Sequence, residues 1–441
     1  MKMLRKQLVT LTAAVSMALP MSVMATNGMN PIASGAKARG MGGAGVAMAN
    51  EAASVTNNPA AAVNAGDRWD IALTLFDPSP RGYTLSGQRA DINPFVPGDQ
   101  NFNGSQTSSD DKFLIPFFGL VSPIDSKSAW AFVVNANGGM NTDYATNFGA
   151  NAGGTGPTGI NLAQLFLNGT YAHKVSDNVS LGYTAIYAYQ TFEAKGLKSF
   201  QYSTIDSNNL SDNGEDTSTG YGFRIGVQAK IGNGMTLGAA YQTKIEMSKF
   251  SKYRGLFANE GSLDIAPTYS IGLGWVMSPQ LTLAFDYSYI DYEAVDSISN
   301  STSLYNNQGA MSGLPCGSTA GDVCFGSNGG PGFGWKSISV YKIGAEFAMS
   351  PTMTLRAGWN HGENPITSEE VSVNFLAPGV IEDHITLGLT MAMSKTSEIN
   401  FNYIKAMENS VSGPFSSNFG GGTMNISMEQ NLFEFGYAQH F

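Results

Sequence analysis

The sequence repeats segments of about ten residues in which apolar and polar side chains alternate. One example contains Leu281, Leu283 and Phe285, with Thr282 and Asp286 on the opposite face. Strands of a membrane β-barrel carry this pattern, since one face meets lipid and the other meets the lumen. Similar segments begin at Trp69, Val179, Tyr221, Tyr269 and Met353. Each segment alone is a weak signal, so it is their number that predicts a barrel.

Short and long connections alternate strictly between these segments. Six short turns are expected at Ser122–Lys127, Lys174–Asn178, Ile231–Gly234, Met277–Gln280, Met349–Thr352 and Ser394–Ser397. Seven long polar loops are expected at 77–111, 139–161, 196–218, 251–261, 296–334, 364–380 and 410–424. Outer-membrane barrels have short periplasmic turns and long extracellular loops. Thirteen connections predict fourteen strands, an even number that places both ends of the barrel in the periplasm.

The composition of the 441 residues agrees with this class of protein. Charged residues make up 13% of the chain, about half of the usual share, and glycine is abundant with 52 residues. After the N-terminal apolar run, no other approaches the roughly 18 residues that a membrane helix needs. The net charge of −10 argues against a nucleic-acid partner, whose phosphates would repel the protein.

The N-terminus has the features of a secretory signal. Basic residues at Lys2, Arg5 and Lys6 precede an apolar run, and the sequence then reads Val23-Met24-Ala25. We expect cleavage after Ala25. The predicted organisation is therefore a signal peptide at 1–25, an N-terminal plug at 26–66 and a barrel at 67–441.

A glycine-rich stretch follows the predicted cleavage site. Gly40, Gly42 and Gly45 satisfy the G-x-G-x-x-G spacing of dinucleotide-binding loops. That motif requires a buried strand immediately before it, within a βαβ unit. Only about fourteen residues separate the new N-terminus from Gly40, and they contain no β-branched run. The sequence therefore argues against a nucleotide site, and no cofactor is expected.

The C-terminal strand carries an aromatic face. Phe433, Phe435, Tyr437 and Phe441 share this face, and the last of them ends the chain. This arrangement resembles the C-terminal signal that the outer-membrane barrel assembly machinery recognises. We therefore expect that machinery as a partner during biogenesis, and outer-membrane lipid and lipopolysaccharide as the surroundings of a monomeric barrel.

Several stretches together resemble the FadL family of outer-membrane transporters for hydrophobic molecules, which also includes transporters of aromatic hydrocarbons. The segment "SGAKARGMGGAGVAMANEAASVTNNPAAA" is similar to the plug of that family, including its Asn-Pro-Ala motif at Asn58, Pro59 and Ala60. Tyr253–Trp275, Ser339–Phe347 and Asn374–Thr390 also match. The resemblance implies an all-β fold, a fourteen-stranded antiparallel transmembrane β-barrel with an N-terminal plug, or hatch.

The resemblance also implies a function. Members of this family capture ligand among extracellular loops, hold it near the plug and release it sideways beside an inward kink of the third strand. We expect passive uptake of hydrophobic small molecules, most of all long-chain fatty acids. Uptake of monoaromatic hydrocarbons is the alternative within the family, because the mature N-terminus has Met29 and Ile32 but no early phenylalanine. A structural or adhesive surface barrel without transport is the alternative outside it.

The candidate site residues fall into four groups. The plug residues expected near ligand are Met29, Ile32, Asn58, Pro59 and Ala60; the capture loop is Phe250, Lys252, Tyr253, Arg254 and Phe257; the lateral-exit kink is Asn137, Gly138 and Gly139; and the lumenal cations are Arg224, Lys342 and Arg356. Apolar residues beside cations suit an amphiphile with an acidic head. Glycines inside a strand commonly mark bends or bulges.

Each of these groups has a structural alternative that the sequence leaves open. The third strand can simply end at Ala136, where a loop would begin. The capture loop can be a strand extension whose basic residues touch lipopolysaccharide phosphates. The lumenal cations can form ion pairs that brace the wall, since unpaired buried charges are costly.

Cys316 and Cys324 lie close together in the longest predicted loop. In an oxidising compartment such a pair is expected to form a disulfide. No histidine lies near enough in the sequence to complete a metal site, so metal binding is not expected.

The sequence gives little support for catalysis. Its four histidines are His173, His361, His384 and His440, and neither G-x-S-x-G nor H-E-x-x-H occurs. We therefore predict a transporter and not an enzyme.

Overall fold

The computed structural model describes residues 27–88, 103–109, 112–137, 139–145, 156–302, 316, 323–415 and 421–441. The predicted signal peptide lies outside the described residues. Within the described part of the chain, no helix is long and apolar enough to cross a membrane.

The described residues form a closed barrel of fourteen antiparallel strands, which confirms the predicted fold. The strands are β1 (Arg68–Asp77, continued by Arg81–Ser86), β2 (Gly104–Thr107 and Phe113–Pro123), β3 (Ser128–Asn137 and Asn141–Tyr144), β4 (Thr158–Lys174), β5 (Val179–Lys195), β6 (Asp216–Gly232), β7 (Met235–Gln242 and Glu246–Met247), β8 (Thr268–Val276), β9 (Leu281–Ile290), β10 (Ile338–Ser350), β11 (Met353–Gly362), β12 (Asp383–Ala392), β13 (Ser397–Pro414) and β14 (Thr423–His440). The first strand closes the barrel, because Arg68 pairs with Val121 on one side and with His440 on the other.

The helices of the described residues are short, and none of them is part of the barrel wall. They are α1 (Ala36–Gly40), α2 (Ser54–Asn57), α3 (Ala258–Gly261), α4 (Asp296–Ser299) and α5 (Val371–Asn374), with 3-10 turns at Pro59–Val63, Lys198–Phe200, Ser207–Asn209, Ser251–Tyr253, Tyr292–Ala294 and Ser368–Glu370. The first two helices and the first 3-10 turn belong to the N-terminal segment. The others belong to the long loops.

Lipid-facing and lumen-facing positions follow the predicted alternation. Tyr221 and Phe223 are 72% and 62% exposed on the outer face of β6, whereas Gly222 and Gly226 are buried on its inner face. Outward aromatic side chains of the last strand, Phe433 and Phe435, are also exposed. The barrel therefore presents an apolar surface to the membrane.

The predicted loop boundaries differ from the structure at the long-loop end. The loops predicted at 77–111, 139–161 and 410–424 are too long, because β1 to β4 and β13 continue into them. In a membrane barrel only the band that faces lipid must be apolar, so strand ends beyond that band need not show the alternation. The loop predicted at 251–261 is too short, since the connection between β7 and β8 runs over 248–267.

The N-terminal segment, 27–66, lies inside the barrel and touches walls on both sides of the lumen. Its helix α1 contacts β11 to β14, and the 3-10 turn at Pro59–Val63 contacts β2 to β6. Wall glycines allow this close approach: a Cβ at Gly226 would lie 2.1 Å from Asn58 Oδ1, and one at Gly182 would lie 2.2 Å from the carbonyl carbon of Pro59. The glycines of the segment itself have the same role, because a Cβ at Gly42 would lie 2.5 Å from the Trp359 carbonyl oxygen.

Candidate functional site

The loops at the outer end of the barrel pack around an apolar cluster. In this loop cluster the rings of Phe250, Tyr253 and Phe257 surround Phe192, with centroid distances of 5.7, 4.9 and 4.7 Å. All four side chains are buried. Burial also raises the pKa of Tyr253 to about 12, and its hydroxyl donates to the Gly214 carbonyl at 2.8 Å. The aromatic residues of the predicted capture segment therefore form the interior of the loops.

The basic residues of the same segment face outward. Lys252 Nζ donates to the Glu215 carbonyl at 2.7 Å. Arg254 is exposed and forms an ion pair with Asp206. The structure thus separates the cations from the aromatic rings: the cations lie at the surface, and the rings lie beneath it.

The tip of the N-terminal segment reaches the loop cluster. Met29 is buried there, and its backbone N–H donates to the Tyr292 hydroxyl at 3.0 Å. That hydroxyl in turn donates to the Asn27 carbonyl at 2.6 Å. Ile32 is also buried but lies in a different apolar cluster, with Phe76, Ile115, Ala136, Ile404 and Leu432. The two residues therefore do not share one pocket.

Asn58, Pro59 and Ala60 hold the N-terminal segment against the wall. Asn58 is fully buried, and its Nδ2 donates to the carbonyls of Val46 and Val227 at 2.9 Å each. Its Oδ1 accepts from Ala60 N at 3.0 Å. None of the three lines the lumenal cavity described next.

A polar cavity of about 130 Å³ lies between the N-terminal segment and the wall. We call it the lumenal cavity. Two of the predicted cations, Arg224 and Lys342, line it, together with Asp286. The other polar residues around it include Asn135, Asn168, Gln242, Ser270 and Ser288. Its volume suits a head group better than a whole long-chain molecule.

The two cations in the lumenal cavity have few partners. Arg224 donates from Nη2 to the Gln242 side chain, whereas its buried Nη1 has no hydrogen-bond partner among the described residues. Lys342 Nζ donates to the Ile32 carbonyl at 2.7 Å. One oxygen of Asp286 accepts from the backbone N–H groups of Gly45 and Val46 at 2.7 and 2.9 Å. A carboxylate in this cavity would find a free guanidinium donor.

The third predicted cation, Arg356, lies elsewhere. Its guanidinium forms an ion pair with Glu346 at 2.7 Å, and its Nη1 donates to Thr390 Oγ1 at 2.6 Å. The lining of the lumenal cavity does not include Arg356. Arg356 therefore fits the structural alternative given above, in which a lumenal cation forms an ion pair that braces the wall.

The pairing between β2 and β3 stops partway along the wall. It extends from Pro123 opposite Ala129 to Phe118 opposite Val134, and no strand pairing between them continues above that level among the described residues. Contact resumes where Ser109 N donates to the Asp143 carbonyl at 2.8 Å. A gap therefore lies between the two strands.

The third strand changes direction at this gap. It breaks between Asn137 and Asn141, and its register with β4 shifts by one residue there. Gly138 lies outside the described residues, and Gly139 is buried. Ala136 has the phase of the lipid-facing residues Trp130 and Phe132, yet it is only 5% exposed and lies in the Ile32 cluster. The strand thus turns inward beside the lumenal cavity, which Asn135 lines.

Several residues around the cavity were not identified from the sequence. Asn168 and Gln242 lie at lumen-facing positions of strands, where polar side chains are common in any barrel. Tyr292, which bonds to the tip of the N-terminal segment in the loop cluster and does not line this cavity, lies just after a strand, and nothing in its local sequence distinguishes it. Gln242 lies directly opposite Arg224 in the register of β6 and β7, and the N-terminal segment closes the cavity beside these side chains.

A disulfide joins Cys316 and Cys324, whose Cα atoms are 6.0 Å apart. The Cys316 N–H donates to the Tyr202 carbonyl at 3.0 Å, which connects this loop to the one after β5. The disulfide therefore lies among the outer loops, apart from the residues that line the lumenal cavity.

Comparison with known proteins agrees with this geometry. Residues 22–437 match the family described as outer membrane protein transport protein (OMPP1/FadL/TodX). The long-chain fatty acid transport protein of Escherichia coli K12 is 24% identical over 414 residues, which cover 84% of this chain and 85% of that protein. The corresponding protein of Salmonella typhi is 23% identical over 402 residues, with 84% and 85% coverage.

Solved structures share the fold. A FadL homologue from Pseudomonas aeruginosa superimposes with a TM-score of 0.67 at 16% identity, covering 94% of this chain and all of that one. The toluene transporter TodX of P. putida gives a TM-score of 0.63 at 15% identity, with 93% and 99% coverage. The chain belongs to the FadL/TodX family of outer-membrane transport proteins.

Proposed function

We propose that this protein takes up long-chain fatty acids, or other amphiphiles with an acidic head and an apolar chain, by passive diffusion. As a member of its family, it is an outer-membrane transporter, and its named relatives are transporters and channels. The fatty-acid relatives and the toluene transporter suggest different substrates. The residues of the lumenal cavity favour the first class.

The observation that supports an acidic substrate is the charge of the lumenal cavity. Arg224 has a donor without a partner among the described residues, and Lys342 donates to the Ile32 carbonyl and lies opposite Asp286 on the neighbouring strand. A hydrocarbon such as toluene offers nothing to these groups and would desolvate them at a cost. A carboxylate would accept charge-assisted hydrogen bonds, which are about twice as strong as neutral ones.

The path that we propose has three parts. An amphiphile first enters among the loops, where the exposed cations Lys252 and Arg254 attract its acidic head. The head then reaches Arg224 and Lys342 in the lumenal cavity, while the chain lies near the cluster around Ile32. The molecule leaves sideways through the gap between β2 and β3, and the N-terminal segment acts as a plug against axial passage.

Binding of oleate to the purified protein tests the proposed head-group site. We expect Arg224→Gln to weaken oleate binding by about tenfold, since it removes one charge-assisted interaction. Lys336→Gln is the control, because this lysine pairs with Glu293 at the surface, has no part in the proposed path and does not line the lumenal cavity. Toluene binding should be insensitive to Arg224→Gln. Equal oleate binding by wild type and Arg224→Gln, with measurable toluene binding, would favour a hydrocarbon channel instead.

A further inference from the structure

Two cavities lie on opposite sides of a single turn of the N-terminal segment. The lumenal cavity is above it. Below it, a second cavity of about 420 Å³ is lined by Ala47, Met48 and the turn after β4, at the short-turn end of the barrel. We call this the lower cavity, and we assign its end of the barrel to the periplasm. The turn between the cavities is Gly45–Met48, closed by a hydrogen bond from Met48 N to the Gly45 carbonyl at 3.1 Å. We call it the partition turn.

A few side chains of the wall and the N-terminal segment hold the partition turn. Asp286 accepts from the N–H groups of Gly45 and Val46, as described above. Gln228 Nε2 donates to the carbonyls of Val46 and Met48 at 3.1 and 3.2 Å. Asn58 binds the Val46 carbonyl from within the segment. The side chain of Met48 also packs against Met41, Ala44 and Ala284, so hydrogen bonds and apolar contacts together hold one short stretch of backbone.

Polar side chains line both cavities. The lumenal cavity has Arg224, Lys342 and Asp286, and the lower cavity has Lys174, Lys230 and Glu346 among others. Such linings solvate ions and small polar molecules and offer little to an alkyl chain. The lateral gap, by contrast, is bordered by the apolar cluster around Ile32.

We propose that the partition turn is a gate on a second, axial path, which passes inorganic ions and small hydrophilic molecules between the lumenal cavity and the periplasm. Asp286 and Gln228 keep the gate shut. Release of the turn would join the two cavities into one polar passage. This path is separate from the lateral route of hydrophobic substrates, and it does not depend on which substrate takes that route.

Conductance of purified protein in planar lipid bilayers with potassium chloride tests the gate. We expect low conductance for the wild type and at least a tenfold increase for Asp286→Ala and for Gln228→Ala. Asp286 lines the lumenal cavity and Gln228 lines the lower cavity, so the two variants change different linings and share only the release of the partition turn. Heat-modifiable electrophoretic mobility checks that each barrel is folded. If both variants are folded and conduct no more than wild type, the gate does not exist.

A reversible cross-link sharpens the same experiment. A Cβ built at Gly274 lies 3.6 Å from the Ala47 Cβ, within the Cβ separation of about 3.5–4.5 Å that disulfides need, so Ala47→Cys with Gly274→Cys can cross-link the partition turn to the wall. In the Asp286→Ala background this cross-link should abolish the added conductance, and a reductant should restore it. Reductant alone should leave Asp286→Ala unchanged, although it also reaches the native disulfide. Conductance that persists through the cross-link would show that ions pass elsewhere, and would overturn the proposal.

Discussion

Two regions of the N-terminal segment are held by different chemistry: the tip, residues 27–30, and the base, which comprises α1 and the Glu51 that bonds to it. At its base, α1 is tied to the wall by buried ion pairs, Arg39 with Glu434 and Lys37 with Glu398 at 2.7 Å. At its tip, Asn27 and Met29 are held by one tyrosine hydroxyl and by apolar packing. Breaking a buried ion pair costs more than losing one neutral hydrogen bond. The comparison indicates a fixed base and a tip that can move when ligand arrives.

The largest effect is expected at the base. Arg39→Leu leaves Glu434 buried without its cation, which should destabilise the packing of the segment by about 3–5 kcal/mol. We expect proteases to cleave the segment in barrels that still show heat-modifiable mobility. The control is Arg254→Leu, which removes an exposed ion pair and should change little. If the segment of the Arg39→Leu protein resists proteases as well as that of wild type, the pair of Arg39 and Glu434 does not fix the base.

A smaller effect is expected at the tip. Tyr292→Phe removes the hydroxyl that bonds to Met29 and Asn27, and leaves a buried N–H unsatisfied at a cost of about 1–3 kcal/mol. Amide hydrogen exchange should become faster at Met29 and stay unchanged in α1. Tyr221→Phe, on the lipid face, is the matched control. Faster exchange throughout the segment would mean that base and tip move together.

The pH dependence of the base gives a third test. Burial raises the pKa of Glu51 to about 7, although the carboxylate accepts from the N–H groups of Lys37 and Ala38 at 3.0 and 2.9 Å. In the folded protein the pKa of Glu51 lies above its ordinary value, so the protonated carboxyl stabilises the packed segment. This contribution to stability is fully present below about pH 4.5 and is lost as pH rises through about 7. Protease resistance of the segment should therefore fall between pH 5.5 and pH 8.

Glu51→Gln should remove most of that pH dependence, because the amide resembles the protonated acid and does not titrate. The ratio of cleavage rates for variant and wild type, measured at both pH values, corrects for the protease itself. If the ratio of the wild-type cleavage rate to the Glu51→Gln cleavage rate is the same at pH 5.5 and pH 8, Glu51 does not titrate in this range.

The smallest effect is expected at the disulfide, which lies apart from both base and tip. Replacing Cys316 and Cys324 with serine removes a loop constraint worth about 2–3 kcal/mol on the chain-entropy model, and only in the outer loops. Uptake and hydrogen exchange of the N-terminal segment should match wild type. Altered exchange at Met29 would show that the outer loops transmit strain to the tip.

The wall was easier to predict from sequence than the interior. Alternation over about ten residues identifies a lipid-facing strand such as the one through Phe285, because the membrane imposes that pattern on every strand. The extensions Arg81–Ser86 and Gly104–Thr107 were missed, because strands above the lipid carry no such requirement.

The contacts of the site depend on how the segment packs in three dimensions. Sequence phase placed Arg224, Lys342 and Arg356 inward alike. Only the structure separates the first two, which face the lumenal cavity, from Arg356, which pairs with Glu346. Likewise, the sequence predicts that Phe250 and Tyr253 form a capture site beside cations, whereas in the structure both rings are buried beneath the loops.

The central claim, that an acidic amphiphile leaves through the gap between β2 and β3, can be tested most directly by filling the gap. Ala136→Trp places a large side chain beside Ile32 and Ile115, whereas Ala357→Trp adds the same group on the lipid face of β11 as a control. The measurement is uptake of labelled oleate by cells with equal amounts of folded barrel. We expect Ala136→Trp to abolish uptake while the purified protein still binds oleate, and Ala357→Trp to behave as wild type. Wild-type uptake by a folded Ala136→Trp barrel would contradict lateral exit.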